Sequence, residues 1–221
     1  PWLSGSVTIP FDAKAHFQAQ VEFLARAIHS GQSPFWNHNV FAGSPQVADP
    51  QSLIFSPAIL LALLSPALSF RMVDAFVRLH LLVAGFAVLM FFRDRGWPPA
   101  GGLLAALVFA FGASAAWRVQ HIGQIESLAF FAVAFWLTAR MLQRNSAWAG
   151  VCGGLASGLM VLEPGQVAML GGYVLIGMVV AHWLSGGWVA LRASLVPIAL
   201  ASLAGLAVIT VPLLWTWLFA E

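Results

Sequence analysis

Charge is what this chain has least of. Only 8% of its 221 residues are Asp, Glu, Lys or Arg, against 60% hydrophobic residues and a mean hydropathy of +0.86. A water-soluble domain carries about 25% charged residues. The deficit leaves too little polar surface to coat a soluble globule, so lipid is the expected solvent. Lysine is almost missing, with Lys14 the only one. The formal net charge of +2 is too small to argue for nucleic acid as a partner. The single cysteine, Cys152, lies in an apolar run and cannot form an internal disulfide. No His-Glu pair at ligand spacing and no Asp-x-Asp triplet is present, so no metal site is expected. Nothing resembles a phosphate-binding Gly-rich loop, and no Ser-His-Asp or Cys-His order suggests itself. The chain has neither an initiator Met nor a signal peptide. It reads as an internal fragment of a larger membrane protein, with at least one span expected before Pro1.

What is there divides in two. Residues 1–57 form a polar island that holds Asp12, Lys14, His16, Glu22, Arg26, His29, His38 and Asp49. The remainder, 58–221, is mostly apolar runs joined by short loops. Within the island, 12–30 reads as a helix, with Pro10 before it and Gly31 after it. Phe17, Val21, Leu24 and Ile28 recur at helical spacing as one apolar stripe, and Glu22 and Arg26 are spaced as an i,i+4 pair. Such a helix suits the headgroup layer better than a crossing. Residues 31–51 have no sustained periodicity. Their turn formers and aromatics (Phe35, Trp36, Phe41) describe an ordered, ligand-facing loop.

A span needs roughly 20 apolar residues. The candidates are 73–92, 100–117, 127–142, 147–163, 166–184 and 194–219. The run 53–69 holds Pro57 and Pro66 and reads as a half-span or a second interfacial helix. Arg93, Arg95, Arg140, Arg144 and Arg192 fall in alternate loops, which the positive-inside rule assigns to the cytoplasm. The polar island, loop 118–126, the Glu163–Gln166 turn and Glu221 then lie outside, provided 53–69 does not cross. No internal repeat is visible. The expected fold is an all-α, polytopic membrane bundle with about six spans and one long outer loop carrying interfacial helices. The expected location is the cytoplasmic membrane.

Each candidate site residue has a plain reading beside a functional one. Asp12 opens the interfacial helix as an N-cap or as a general base at the membrane surface. His16, one turn on, shares its face and either tunes it or is simply an interfacial polar residue. Lys14 is a flexible charge for phosphate or a snorkelling anchor. Asp49, before Pro50, is a turn starter or a second carboxylate. Arg118, Gln120, His121, Gln124 and Glu126 crowd one outer loop. There Arg118 has the fork that matches phosphate oxygens and His121 can donate to the same oxygens; ordinary anchoring of a short loop is the alternative. Glu163 is a further acid or a solvated turn residue. Asp74 and Arg78 are spaced to neutralise each other. Gly101–Gly102 and Gly153–Gly154 let helices approach closely.

The order IPFDAKAHF, SPFWNHNVFAGSPQVADPQSLIFSP, an apolar run and then RVQHIGQIE resembles the first outer loop and early spans of GT-C superfamily glycosyltransferases. It is most similar to the bacterial YfhO-like membrane proteins, through Pro-x-Trp-Asn, Phe-x-Gly-x-Pro and Ala-Asp-Pro-Gln. The resemblance covers residues 5–60 well and 115–130 moderately. Later spans share only hydropathy and the LEPGQ turn. It implies a many-spanning enzyme that takes a sugar from a polyprenyl-phosphate carrier, a lipid-linked donor, and passes it to a glycan or lipid acceptor outside the membrane. Asp12 matches the catalytic base, Asp49 the second acidic position of the loop. Arg118 or Lys14 would stabilise the departing lipid phosphate, with His16, His121, Gln124 and Glu163 around the substrate and no cofactor beyond the donor. A full first span and an acceptor-choosing C-terminal part are missing from the pattern. A transporter or flippase predicts ionisable residues at mid-depth and broken helices in matching halves. A non-catalytic scaffold would tolerate loss of Asp12.

Overall fold

A computed structural model describes residues 7–40, 42–49, 51–163 and 165–220. Phe41, Pro50, Pro164 and Glu221, which entered the sequence reading, lie outside the described residues.

The regular structure among the described residues is helical apart from one two-residue ladder. The helix expected at 12–30 begins as a π-helical turn, Ala13–Phe17, and continues as α1, Gln18–His29. Its apolar stripe turns inward, with Phe17, Val21, Leu24 and Ala25 all buried. Burying a side chain of that size favours the fold by about 1.5–3 kcal/mol relative to leaving it in water. The expected Glu22–Arg26 ion pair does not form. Arg26 Nε donates to the Glu22 backbone carbonyl at 3.4 Å, while the Glu22 carboxylate accepts from Gln18 Nε2 at 2.9 Å.

The loop expected to lack regular structure contains a small hairpin, β1 (Trp36–Asn37) against β2 (Ser44–Pro45). Gly43, at φ 119°, lies under the Trp36 indole, where a Cβ would collide with the ring. The stretch 53–69 holds only α2, Ile59–Leu64. Six residues extend about 9 Å, so this helix is far too short to cross a bilayer.

The bundle follows: α3 (Phe70–Asp94), α4 (Pro99–Phe111), α5 (Ala113–Arg118), α6 (Ile122–Arg144), α7 (Ala147–Val161) and α8 (Gln166–Ala220). Each break has a local cause. Ser69 caps α3 by accepting from Met72 N–H, and Pro99 starts α4. Gly112 leaves helical geometry between α4 and α5. Asn145, left-handed at φ 47°, stops α6, and Ser146 immediately caps α7.

α8 is two helical arms that meet at a sharp kink and fold back on each other. A straight helix would separate Gln166 from Pro212 by about 69 Å. Instead Pro212 and Leu213 line one cavity with Leu162 and Glu163. The reversal falls at Gly187 (φ 60°, ψ −150°), a conformation essentially confined to glycine. Trp183 Nε1 bonds Ser194 Oγ across it at 2.9 Å. The two expected runs 166–184 and 194–219 are therefore two antiparallel arms, joined at one residue and not by a loop over 185–193.

Among the described residues four helices are long and apolar enough to cross a membrane: α3, the α4–α5 unit, α6 and α8. α7 is shorter, 15 residues or about 22 Å. The ends of the bundle differ in charge. At one end Asp94 accepts from Trp136 Nε1 (2.8 Å), from Arg140 (2.8 and 2.9 Å) and from Arg144 (3.3 Å). At the other end sit the polar island and the α5–α6 and α7–α8 turns.

Candidate functional site

Polar contacts fix the island to the rest of the chain. Lys14 Nζ reaches Asp74 Oδ1 at 2.6 Å, and Ile9 N–H donates to the same carboxylate. Gln18 Nε2 donates to the Leu68 carbonyl at 3.0 Å. Ser56 Oγ donates to Glu126 Oε1 at 3.4 Å. In the first of these the Asp74 carboxylate holds Lys14 together with the Ile9 amide.

Asp12 stands at the first position before the π-turn, yet its side chain makes no capping bond, because its own backbone is already helical (φ −59°, ψ −27°). The carboxylate is 55% exposed and faces His121 Nδ1 at 3.6 Å. That separation is longer than a hydrogen bond and becomes an ion pair when the ring is protonated. His121 also presents its ring to the edge of Phe17. Folding thus brings Asp12 beside His121 of the 118–126 turn.

Other members of the expected cluster turn away. Arg118 NH1 folds back onto Ser114, reaching its carbonyl at 2.9 Å and its hydroxyl at 2.8 Å, while Nε has no partner. His16 makes no hydrogen bond to Asp12 and lines a cavity of about 570 Å³ with Asn37, Gln46 and Asp49. Its Nε2 is buried and unbonded. Gln124 is half-buried in the first turn of α6.

Asp49 borders this cavity and a second one of about 400 Å³. Its Oδ1 accepts from Gln51 N–H at 2.8 Å, which is the turn that its position implied. Glu163 lies on the far wall of the second cavity. It packs on Gly123, where any Cβ would collide with its side chain. Burial pushes the Glu163 carboxyl up to about 9, and the nearby charges of Glu126 and Asp49 add to the shift.

Glu126 is the residue whose place the sequence concealed. Grouped there with an outer loop, it is 1% exposed, inside the bundle, with Oε2 unbonded. The signal was present: Ile122, Ile125, Glu126 and Ala129 share the buried stripe of α6. Among the described residues no three His, Cys, Asp or Glu side chains gather to hold a metal ion. No protein-family model, curated protein or solved structure matches this chain.

Proposed function

We propose that this chain is part of an integral membrane glycosyltransferase of the GT-C type, with the polar island on the outer face of the cytoplasmic membrane. The exposed apolar faces of α4 and α8, such as Leu103, Leu104, Leu107, Leu203 and Leu206, support insertion in lipid. One observation carries the catalytic reading: the exposed Asp12 carboxylate, free of any capping bond, beside His121 of the neighbouring turn.

In this reading Asp12 takes the proton of an acceptor hydroxyl. The acceptor oxygen attacks the anomeric carbon from the face opposite the carrier, the bond from that carbon to the phosphate oxygen breaks, and the sugar is inverted. The leaving polyprenyl phosphate keeps the electron pair. Arg118, released from Ser114, and protonated His121 are the cations at hand to meet it. Lys14 holds the island in place through Asp74. Asp49, across the His16 cavity, binds sugar hydroxyls.

The transporter alternative has one observation in its favour, His80 at mid-depth in α3. That ring is packed between Phe76 and Phe130 and bonded to the Phe76 carbonyl at 3.0 Å, as a core side chain would be.

The test is envelope glycan mass spectrometry on a strain lacking the full-length protein, complemented with wild type or Asp12→Asn. A sugar restored by wild type alone supports the proposal. Equal restoration by both removes Asp12 as base. An unchanged glycan profile in the deletion strain moves the weight to transport.

A further inference from the structure

The cavity beside His16 has walls from two separate parts of the island. The hairpin sets Asn37 opposite Ser44 on one side. The turn after it adds Gln46, whose backbone N–H donates to the Phe35 carbonyl at 2.8 Å. His16 of the π-helical turn and Ala19 of α1 close the other side. The volume of about 570 Å³ is that of a small-molecule site.

Two of the lining side chains are deeply buried carboxamides. Gln46 is 1% exposed and Asn37 4%. Gln46 Oε1 has no hydrogen-bond partner, and neither has the buried Nε2 of His16. Asn37 spends its oxygen on the Asn39 N–H at 3.0 Å, and its NH2 group has no partner among the described residues. Buried polar groups in a folded chain are paired, and an unpaired one calls for an explanation. These three share one cavity, and a ligand that both donates and accepts would satisfy them together. Asp49 adds a carboxylate with one oxygen already taken by the Gln51 N–H. Among the described residues no Lys or Arg lines the cavity.

We infer that Gln46, Asn37 and His16 are the specificity-determining contacts of this cavity and that they select an uncharged sugar. The inference rests on the sugar-transfer reading above and names the class of sugar. A hydroxyl or acetamido group donates and accepts, as the two carboxamides and the imidazole require. A uronic acid would bring its carboxylate beside Asp49 with no cation to pair either one. An ammonium at the contacted position donates only, so the Asn37 NH2 would gain no acceptor from it. Around these few polar groups the lining is small and apolar, with Ala15, Ala19 and Ala48 leaving room for a ring.

Saturation-transfer NMR on the full-length protein in phosphatidylcholine nanodiscs, titrated with methyl glycosides, reads this directly. The gluco and galacto series each supply the hexose, its N-acetylated hexosamine, the free hexosamine and the uronic acid. An uncharged member should bind about tenfold or more tightly than the uronic acid and the free amine of its series, the factor that one unpaired buried group costs. Gln46→Leu should weaken that binding by about tenfold or more. Ala19→Phe, at an exposed position on the cavity wall, should abolish it by filling the space. Equal or tighter binding of a charged member, no binding of any sugar, or wild-type affinity in Q46L or A19F overturns the assignment. If Q46L fails to fold, wild type and A19F decide. Binding requires no transfer, so the two readings fail separately. Sugar binding by a protein whose deletion leaves the glycan profile unchanged keeps this site and removes the transferase. A lost envelope sugar with no sugar binding does the reverse.

Discussion

Two aspartates in the same loop show how little a residue's neighbours in sequence say about its role. Both looked like local punctuation. Asp49 is that, in part, with one oxygen spent on the Gln51 amide. Asp12 is not, because a residue already in helical geometry cannot swing its side chain back to cap the turn it belongs to. The distinction lies in backbone angles, which composition does not reveal. Lys14 was equally opaque, since its partner Asp74 is 60 residues away. Their side chains are 15% and 6% exposed, so removing the lysine strands a buried carboxylate. Lys14→Met should lower stability in detergent by about 3 kcal/mol, read as an earlier thermal unfolding midpoint by tryptophan fluorescence. Lys14→Arg should recover part of the loss. Glu163 makes stability depend on pH. Its folded-state affinity for a proton exceeds that of a solvated glutamate, so the native state holds the proton more tightly than the unfolded chain. Stability should therefore be highest near pH 4.5 and decline as pH rises toward about 9. Glu163→Gln should flatten that decline, and a pH series of unfolding midpoints that keeps its slope in E163Q would reject the assignment.

At the scale of elements, periodicity carried most of the legible information. The stripe Phe17, Val21, Leu24 announced α1, and the apolar runs announced α3 through α8, because helices in an apolar chain leave a strong and local signal. Hairpin β1–β2 escaped because two-residue strands have no period to detect. The turn at Gly187 escaped because Arg192 and the polar residues near it read as a loop, whereas the helical arms continue through them. Of the glycines read as points of approach, Gly154 lies against the Ala201 backbone, whereas Gly101 and Gly102 meet only the Phe92 side chain. Gly150 and Gly158, not singled out in the sequence, join Gly154 in facing Pro197 and Val208 on the second arm of α8, at the spacing of a small-residue packing seam. A Cβ at Gly154 would overlap the Ala201 carbonyl, so the two helix backbones touch there. Gly154→Ala should destabilise the bundle by about 3 kcal/mol through overpacking. Gly172→Ala, where nothing lies within 4 Å, should be neutral or gain up to about 1 kcal/mol of helix propensity. Equal effects of the two substitutions in thermal unfolding would mean that α7 and α8 do not meet along this seam.

The whole molecule is polarised, and this is where the sequence reading and the structure bear on each other most directly. The arginines assigned to one side by alternation do gather, with Arg140 and Arg144 on Asp94, while Asp12, His121, Asp49 and Glu163 occupy the opposite end. Alternation of loops along a chain is a one-dimensional pattern, and a bundle of up-and-down helices converts it directly into two ends. The pattern of contacts inside each end was not legible, because it depends on which turns fold over which. Arg118 on Ser114 and Glu126 within the core are the instances. If the arginine-rich end is cytoplasmic, accessibility should differ across the molecule. In a full-length Cys152→Ala background, a cysteine replacing exposed Ser30 should react with a membrane-impermeant maleimide in right-side-out vesicles. One replacing exposed Trp97 should react only in inverted vesicles. Reversal of both would turn the protein over and move Asp12 to the cytoplasmic face, where an outer-leaflet carrier does not reach. Labelling of both in the same vesicles would contradict a bundle that crosses the membrane with these two ends apart.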